Sequence, residues 1–177
     1  MGRRLGSEAA LKSKAATRSK MQSRQGRAEA AHSDAARFFD HAASGYAASS
    51  PLQAKQHAMT ARCLDLLLAG RQAWMTACCP HLVLDLGCGC GFSSAALRQR
   101  LPAGSTVVGL DLSPHMLAGC TEAEPVGGSM AALPLRPGPL FDAVVSVSAL
   151  QWLEASDDLL ACFGALRRCC TAEARAA

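Results

Sequence analysis

The hydrophobic pattern divides the central part of the chain into short apolar runs separated by segments of helical periodicity. The strongest runs cover residues 82–86, 105–110 and 141–148. Apolar runs of this length, bounded by turn residues, are typical of strands that are buried on both faces of a sheet. We place a further short strand near 126–130 and assign the proline-rich segment 133–139 to a loop. Strands that alternate with helices predict an α/β fold, an open parallel sheet with helices on both faces.

Helical periodicity and start signals locate the other elements. The predicted helices begin near residue 35 and then cover 51–68, 92–100, 113–120 and 158–170. Ser113 followed by Pro114 is a strong start signal, because the serine side chain caps a helix and proline fits its first turn. We expect Ser33 or Asp34 to cap the first helix and Asp157 to cap the last.

The first predicted strand runs directly into three glycines at alternate positions, Gly87, Gly89 and Gly91, and a helix begins after them. Glycines allow a tight turn and let a ligand approach the main chain beside the free N–H groups of the helix start. Asp111 follows the second strand, and a carboxylate at that position can accept hydrogen bonds from both hydroxyls of a ribose. The sequence therefore predicts a nucleoside site at the carboxyl ends of the strands.

The glycine spacing decides which nucleoside is expected. It is neither the G-x-G-x-x-G of dinucleotide-binding proteins nor a P-loop, which needs G-K-[ST] after its loop. Asp85, two residues before the first glycine, would repel a pyrophosphate but can accept hydrogen bonds from a cationic amino group. The segment from Asp85 to Gly91, together with Asp111, resembles motif I of the class I S-adenosylmethionine (SAM) methyltransferases. The resemblance implies SAM as the cofactor and a Rossmann-like fold.

Further segments resemble one family within this class, the malonyl-acyl-carrier-protein O-methyltransferases of biotin synthesis. The resemblance spans about residues 35–170 and rests on segments 39–46, 52–53, 130–135, 141–152 and 165–168. It implies O-methylation of a carboxylate such as malonyl-acyl-carrier protein. Motif I and Gln151-Trp152 are also similar to a small-subunit rRNA guanine-N7 methyltransferase family, so methylation of rRNA or another base is the alternative. A non-catalytic fragment that binds SAM or a partner is an alternative of another class.

The resemblance also implies roles for individual residues. The expected cofactor-binding residues are Asp85, Gly87, Gly89, Gly91, Asp111, Leu112, Ser129, Met130 and Ser148. In this set the glycines hold the methionine part of SAM, Asp85 supports its ammonium through water, and Leu112 and Met130 enclose the adenine. The candidates for positioning the acceptor are Tyr46, Gln151 and Trp152, with Tyr46 closing over the methyl group. Trp152 is equally compatible with a place in the core.

Two departures from the family pattern lead to expectations of their own. Ser129 stands where the family commonly has an acidic residue that contacts the adenine amino group, so we expect weaker SAM binding. The family continues with a Pro-Gly-Gly turn and three strands after the last helix, whereas this chain stops within a few residues of it. We therefore expect a C-terminally truncated sheet that lacks the last strands of the fold, in which the strand 142–148 is an exposed edge.

Length and composition set the domain organisation. The 177 residues fit one domain and half of them are hydrophobic. We expect a methyltransferase domain over 34–177, with N-terminal helices at 34–69 and a SAM-binding core at 80–170. The N-terminal helices either pack on the sheet or form a lid over the acceptor. The 9 cysteines are an odd number without C-x-x-C spacing, which favours reduced, mostly buried thiols over disulfides or a zinc site.

The basic side chains are concentrated at the N-terminus. The net charge is +4, but residues 1–27 contain eight basic residues and one acid, whereas the remainder is mildly acidic. We expect 1–33 to be a disordered tail, a mitochondrial or plastid targeting segment, or an arm for nucleic acid or nuclear import. Partners are then a small-molecule or acyl-carrier-protein substrate, with nucleic acid contacted only through the tail. Without a long apolar run or signal peptide, we expect a soluble intracellular protein with no membrane association, cytoplasmic unless the tail is a transit segment.

Overall fold

Five parallel strands form the centre of the described part of the fold. The computed structural model describes residues 35–69, 79–153 and 156–176. The strands are β1 (Leu82–Leu86), β2 (Thr106–Asp111), β3 (Glu124–Gly127), β4 (Phe141–Val145) and β5 (Cys170–Ala176), in the spatial order β3-β2-β1-β4-β5. All four neighbouring pairs are parallel. The strand order reverses between β1 and β4, and in such sheets this is where a ligand crevice opens at the carboxyl ends.

The helices connect these strands and flank them. They are α1 (Ala35–Ala47), α2 (Ser50–Leu68), α3 (Phe92–Arg100), α4 (Pro114–Leu117) and α5 (Ser156–Cys169), with a 3₁₀ turn at Leu150–Trp152. The start signal at Ser113 is confirmed, because its side chain accepts a hydrogen bond from the N–H of Met116. The helix is shorter than predicted. Asp157 lies in the first turn of α5 and not at a capping position.

Two hydrophobic cores lie on opposite faces of the sheet, because alternate residues of a strand point to opposite faces. Val83 of β1 packs in the core that contains Leu64 of α2 and Leu97 of α3. Leu84 of β1 packs in the other core, which contains Leu166 of α5. The expectation of an α/β Rossmann-like sheet with helices on both faces is therefore confirmed. Residues 39–177 form one compact unit, and 1–38 are assigned to another.

The prediction that the strand 142–148 forms an exposed edge is wrong. The chain enters β5 directly after α5, and β5 pairs in parallel with β4, with Phe141 opposite Cys170. The N–H groups of Gly138 and Leu140 donate to the carbonyls of Arg168 and Cys169, at 2.8 and 3.0 Å, which ties the loop before β4 to the end of α5. The sequence of β5 has few strand formers, so pairing with β4 overrides a weak local propensity.

Two strands differ in extent from the prediction. β3 lies at Glu124–Gly127 and not near 126–130, and the proline that it contains is tolerated because the strand is at the edge of the described sheet. β4 ends at Val145, and residues 146–148 leave the sheet. The predicted tail 1–33 and the caps at Ser33 or Asp34 lie outside the described residues. None of the helices in the described ranges is long and apolar enough to cross a bilayer.

Candidate cofactor and acceptor site

A glycine loop, residues 87–91, connects the end of β1 to the start of α3. Its three glycines have φ angles of 77°, 55° and 88°, all in the left-handed region that glycine adopts without strain. The N–H groups of Gly87 and Cys88 donate to the carbonyl of Leu110 at 2.7 and 3.1 Å, which fixes the loop against β2. A Cβ on Gly87 would lie 2.2 Å from the Cβ of Ala149, so a larger residue cannot fit there without a shift of the backbone.

Asp111 lies at the end of β2, and its carboxylate is held by two backbone donors. The N–H of Gly89 donates to Oδ2 at 2.8 Å, and the N–H of Ser113 donates to Oδ1 at 2.9 Å. Each oxygen of an ionised carboxylate can accept about two hydrogen bonds, so both keep acceptor capacity for a ligand. This geometry fits the binding of the two ribose hydroxyls that the sequence predicted for Asp111.

Asp85 is fully buried at the end of β1, and only one of its oxygens is satisfied. The hydroxyls of Ser93 and Ser94 donate to Oδ2 at 2.7 and 2.6 Å, while Oδ1 has no hydrogen-bond partner among the described residues. Burial raises the pKa of Asp85 to about 6, against the opposing effect of the two hydroxyls, and the charge of Asp111 adds to the increase. A buried acceptor of this kind fits a cationic donor, either directly or through water.

The sequence reasoning missed Ser93 and Ser94 as partners of Asp85. Both lie in the first turn of α3 directly after the glycine loop, and both are buried. Polar side chains at the start of a helix that follows a buried acid are the signal that would have identified them. Their two hydrogen bonds fix the orientation of the Asp85 carboxylate.

The predicted adenine-binding residues follow β2 and β3. Leu112 is 45% exposed, although it is a large apolar side chain, while Met130 is partly buried and its sulfur lies 3.8 Å from the Cβ position of Gly87. The Ser129 hydroxyl accepts a hydrogen bond from the N–H of Ala131 at 3.2 Å. This hydroxyl therefore closes a local turn, and only its remaining hydrogen-bonding capacity is available to a ligand.

One predicted cofactor-binding residue, Ser148, and two predicted acceptor residues, Gln151 and Trp152, follow β4. Ser148 has a φ of 56°, unusual for a residue with a side chain, and its carbonyl accepts a hydrogen bond from Nε2 of Gln151 at 2.8 Å. Gln151 is exposed. The ring of the partly buried Trp152 meets that of Phe39 in an edge-on contact, with centroids 4.8 Å apart and planes at 76°. The structure thus brings an aromatic side chain of α1 to the predicted acceptor side.

Tyr46 lies near the start of α3. Its ring stacks on Phe92, with centroids 6.1 Å apart and planes at 17°, and its hydroxyl accepts a hydrogen bond from Nε2 of Gln56 at 3.1 Å. Because Phe92 directly follows Gly91, the contact places Tyr46 beside the helix that begins at the glycine loop. A role in closing over the methyl group stays a prediction.

Three free cysteines at the glycine loop are buried: Cys88 and Cys90 belong to the loop, and Cys120 packs against it. A Cβ on Gly91 would lie 2.9 Å from the sulfur of Cys120, so the thiol packs directly against the loop. The interaction with Cys88 lowers the pKa of Cys120, and the same interaction together with burial raises the pKa of Cys88. Five of the eight described cysteines are buried, as expected, and their reduced state stays a prediction.

The class I SAM-dependent methyltransferase fold combines a parallel sheet of this kind with a glycine loop after its first strand. Here Asp85 and Asp111 flank that loop. Residues 84–176 match the methyltransferase domain family, and the chain belongs to this family. Membership confirms the expected enzyme class, and it confirms SAM as the cofactor implied by motif I.

Similarity extends to curated proteins and solved structures. An 18S rRNA (guanine-N(7))-methyltransferase of Schizosaccharomyces pombe is 36% identical over 126 residues, which cover 68% of this chain and 42% of that protein. A malonyl-[acyl-carrier protein] O-methyltransferase of Laribacter hongkongensis is 35% identical over 153 residues, which cover 76% of this chain and 48% of that protein. The structure of a SAM-bound amino pentose methyltransferase from Micromonospora echinaspora is 27% identical, with a TM-score of 0.53, covering 73% of this chain and 50% of that chain.

Relatives that are named for each of the two expected acceptors are similar to the chain. Enzymes named as 18S rRNA guanine-N7 methyltransferases from fungi, a plant and mammals are all 35–39% identical to the chain. The biotin-synthesis assignment that the first resemblance implied is not supported. The chain spans half or less of the length of these curated relatives.

Proposed function

We propose that the chain provides the SAM-binding and catalytic core of an RNA methyltransferase, with N7 of a guanine in rRNA as the first choice of acceptor. The observation that best supports methyl transfer from SAM is the pair of acids beside the glycine loop. Asp85 has a buried oxygen that finds no hydrogen-bond partner in the part of the chain that the structure describes. Asp111, at the end of the next strand, has a carboxylate that two backbone N–H groups hold. The choice of RNA is supported by the rRNA methyltransferases that the chain resembles.

Each part of SAM has a matching group in this site. The main chain of the glycine loop admits the methionine part, and the unpartnered oxygen of Asp85 accepts from its ammonium. Asp111 accepts the ribose hydroxyls, and Leu112 and Met130 provide apolar surface for the adenine. SAM supplies a methyl group on a sulfonium, which is a good leaving group, so the protein mainly aligns the two reactants and excludes water.

Methylation of guanine N7 requires few catalytic groups from the protein. N7 of guanine is a hydrogen-bond acceptor with a free lone pair, so it needs no general base to become nucleophilic. Unpaired RNA bases are commonly held by stacking on aromatic side chains, and the ring pair of Phe39 and Trp152 offers such a surface near the end of β4. The exposed Gln151 is adjacent and can position a base edge.

The basic segment 1–27 gives the proposal a second support. The segment has eight basic side chains and one acid, so its charge would attract a phosphate backbone. The remainder of the chain is mildly acidic and would not. Removing this segment should weaken binding to RNA and reduce the dependence of that binding on salt. SAM binding should not change.

Carboxylate O-methylation is the second candidate, favoured by the identity with the Laribacter hongkongensis enzyme over 76% of the chain. A carboxylate is ionised at neutral pH and is also nucleophilic without a base. The test is transfer of a labelled methyl group from SAM to rRNA or to malonyl-acyl-carrier protein. Label at guanine N7 supports the first candidate and label on malonyl supports the second.

The assay includes Asp111→Asn with Asp142→Asn as the matched control. Asp142 is also a half-buried strand acid that accepts a backbone N–H, from Leu82 at 2.9 Å, but it lies at the opposite end of the sheet. We expect Asp111→Asn to lose transfer and Asp142→Asn to keep it. Absence of transfer to both acceptors, with SAM binding intact, would favour a non-catalytic SAM-binding fragment.

A further inference from the structure

Asp40 of α1 is joined by hydrogen bonds to the segment that follows β2. Its Oδ1 accepts from the hydroxyl of Ser113, and Nδ1 of His115 lies 3.1 Å from the same oxygen. Asp40 and Ser113 are 73 positions apart in the sequence, so this contact depends on the fold. The hydrogen bond from Ser113 is the main cause that lowers the pKa of Asp40, and His115 adds to the effect.

Ser113 connects this contact to the ribose-binding acid. Its N–H donates to Oδ1 of Asp111 at 2.9 Å, its side-chain oxygen also accepts from the N–H of Met116 at 3.1 Å, and the residue is fully buried. Met116 in turn lies with its terminal methyl 3.0 Å from the Cβ position of Gly89. Displacement of Ser113 would therefore disturb both the carboxylate of Asp111 and the packing under the glycine loop.

The same turn of α1 reaches the acceptor side. Phe39 precedes Asp40 and contacts the ring of Trp152. Neighbouring residues of α1 thus contact the cofactor side through Ser113 and the acceptor side through Trp152. Helices of 13 residues are marginal on their own, so the order of α1 depends on such tertiary contacts.

We propose that Asp40 is a positioning residue that couples SAM binding to the order of α1, and through α1 to the acceptor side. Asp40 acts through Ser113 by holding the Asp111 carboxylate in the orientation that receives the ribose. The inference rests on the proposed function, because it assumes that Asp111 binds SAM. Reciprocity requires that SAM, by fixing Asp111 and Ser113, stabilises the contact with Asp40 in return.

The first measurement is SAM affinity by calorimetry in the full chain, for the unchanged protein and for Asp40→Ala. We expect the dissociation constant to rise about tenfold, within the usual range of coupling between sites. Asp40→Asn keeps an acceptor oxygen for Ser113 and should restore most of the affinity. Asp65→Asn is the control, because Asp65 is an exposed acid on α2 that pairs with Arg100, and it should leave the affinity unchanged.

A double-mutant cycle separates a positioning role from general loss of stability. If Asp40 acts through Ser113, Asp40→Ala should have little further effect on SAM affinity in a Ser113→Ala background. Hydrogen exchange should show that SAM protects the amides of α1 in the unchanged protein and not in Asp40→Ala. Additive effects of the two substitutions, or unchanged affinity in Asp40→Ala, would overturn the inference. Failure of the unchanged protein to bind SAM would instead overturn the proposed function, and the inference with it.

Discussion

Replacing Asp85 with asparagine should change how the stability of the protein depends on pH. The pKa of Asp85 rises from 3.8 to about 6 on folding, because burial disfavours its charged form. Between these two pH values the folded state keeps a proton that the unfolded state loses, so the contribution of Asp85 to stability falls as the pH rises through this window. A shift of about two pKa units corresponds to about 3 kcal/mol, all of it acting against folding above pH 6 or so.

The asparagine of the Asp85→Asn variant keeps an oxygen that can accept from the two serine hydroxyls but carries no charge. The cost of burying its amide group is the same at every pH, so it cancels from the comparison of two pH values. We expect the free energy of unfolding of Asp85→Asn, relative to the unchanged protein, to increase by about 2 to 3 kcal/mol between pH 4 and pH 7.5. The variant should also bind SAM more weakly, since it has lost the charge that we propose interacts with the ammonium.

Urea denaturation of both proteins at several pH values measures this difference. All other titrating groups are shared, so the difference isolates Asp85. The slopes of the denaturation curves should agree between the two proteins, which would show that the surface exposed on unfolding is unchanged. A difference that stays constant with pH, or that falls as the pH rises, would refute the reasoning.

Four further substitutions test other parts of the structure. Gly87→Ala should lower the free energy of unfolding by several kcal/mol or prevent folding, since its Cβ would meet Ala149 at 2.2 Å and the residue has a φ of 77°. Gly45→Ala, in a helix with open space around it, should instead raise the free energy of unfolding in urea titrations by about 0.5 to 1 kcal/mol. Leu64→Ala should destabilise by about 2 to 5 kcal/mol in the same measurement, because Leu64 is fully buried between α2 and the sheet. Arg100→Gln should change stability by less than about 1 kcal/mol, and progressively less as salt is added, because its ion pair is exposed.

The parts of the fold that carried a strong local signal were predicted from the sequence. The apolar run of β1, the three glycines and the helix at Phe92–Arg100 agree with the structure, because hydrophobic period and glycine spacing are set within a few residues. The capping role of Ser113 was also predicted, since serine followed by proline has few other uses. Asp85 near the end of β1 and Asp111 at the end of β2 lie where the sequence predicted them, and their roles towards SAM stay predictions.

Features that depend on contacts between distant segments were missed. The strand β5 has an alanine-rich sequence and forms through pairing with β4, which no local pattern reveals. The bond between Asp40 and Ser113 joins residues far apart in the chain, and neither has a neighbour that suggests the other. The sequence alone did not separate the two expected acceptors, because the motifs that bear on them are shared by methyltransferases with different substrates.

Calorimetric titration with SAM near pH 6, in buffers of different ionisation enthalpy, tests the central claim most directly. The ammonium of SAM should favour the ionised form of Asp85, so a group with a pKa of about 6 should release about half a proton for each SAM bound at that pH. The α-amino group of SAM stays protonated there, since amines of this kind have pKa values of about 8. We expect this proton release in the unchanged protein and none in Asp85→Asn. Absence of binding, or binding with the same proton exchange in both proteins, would contradict the assignment of the two acids and the glycine loop as the SAM site.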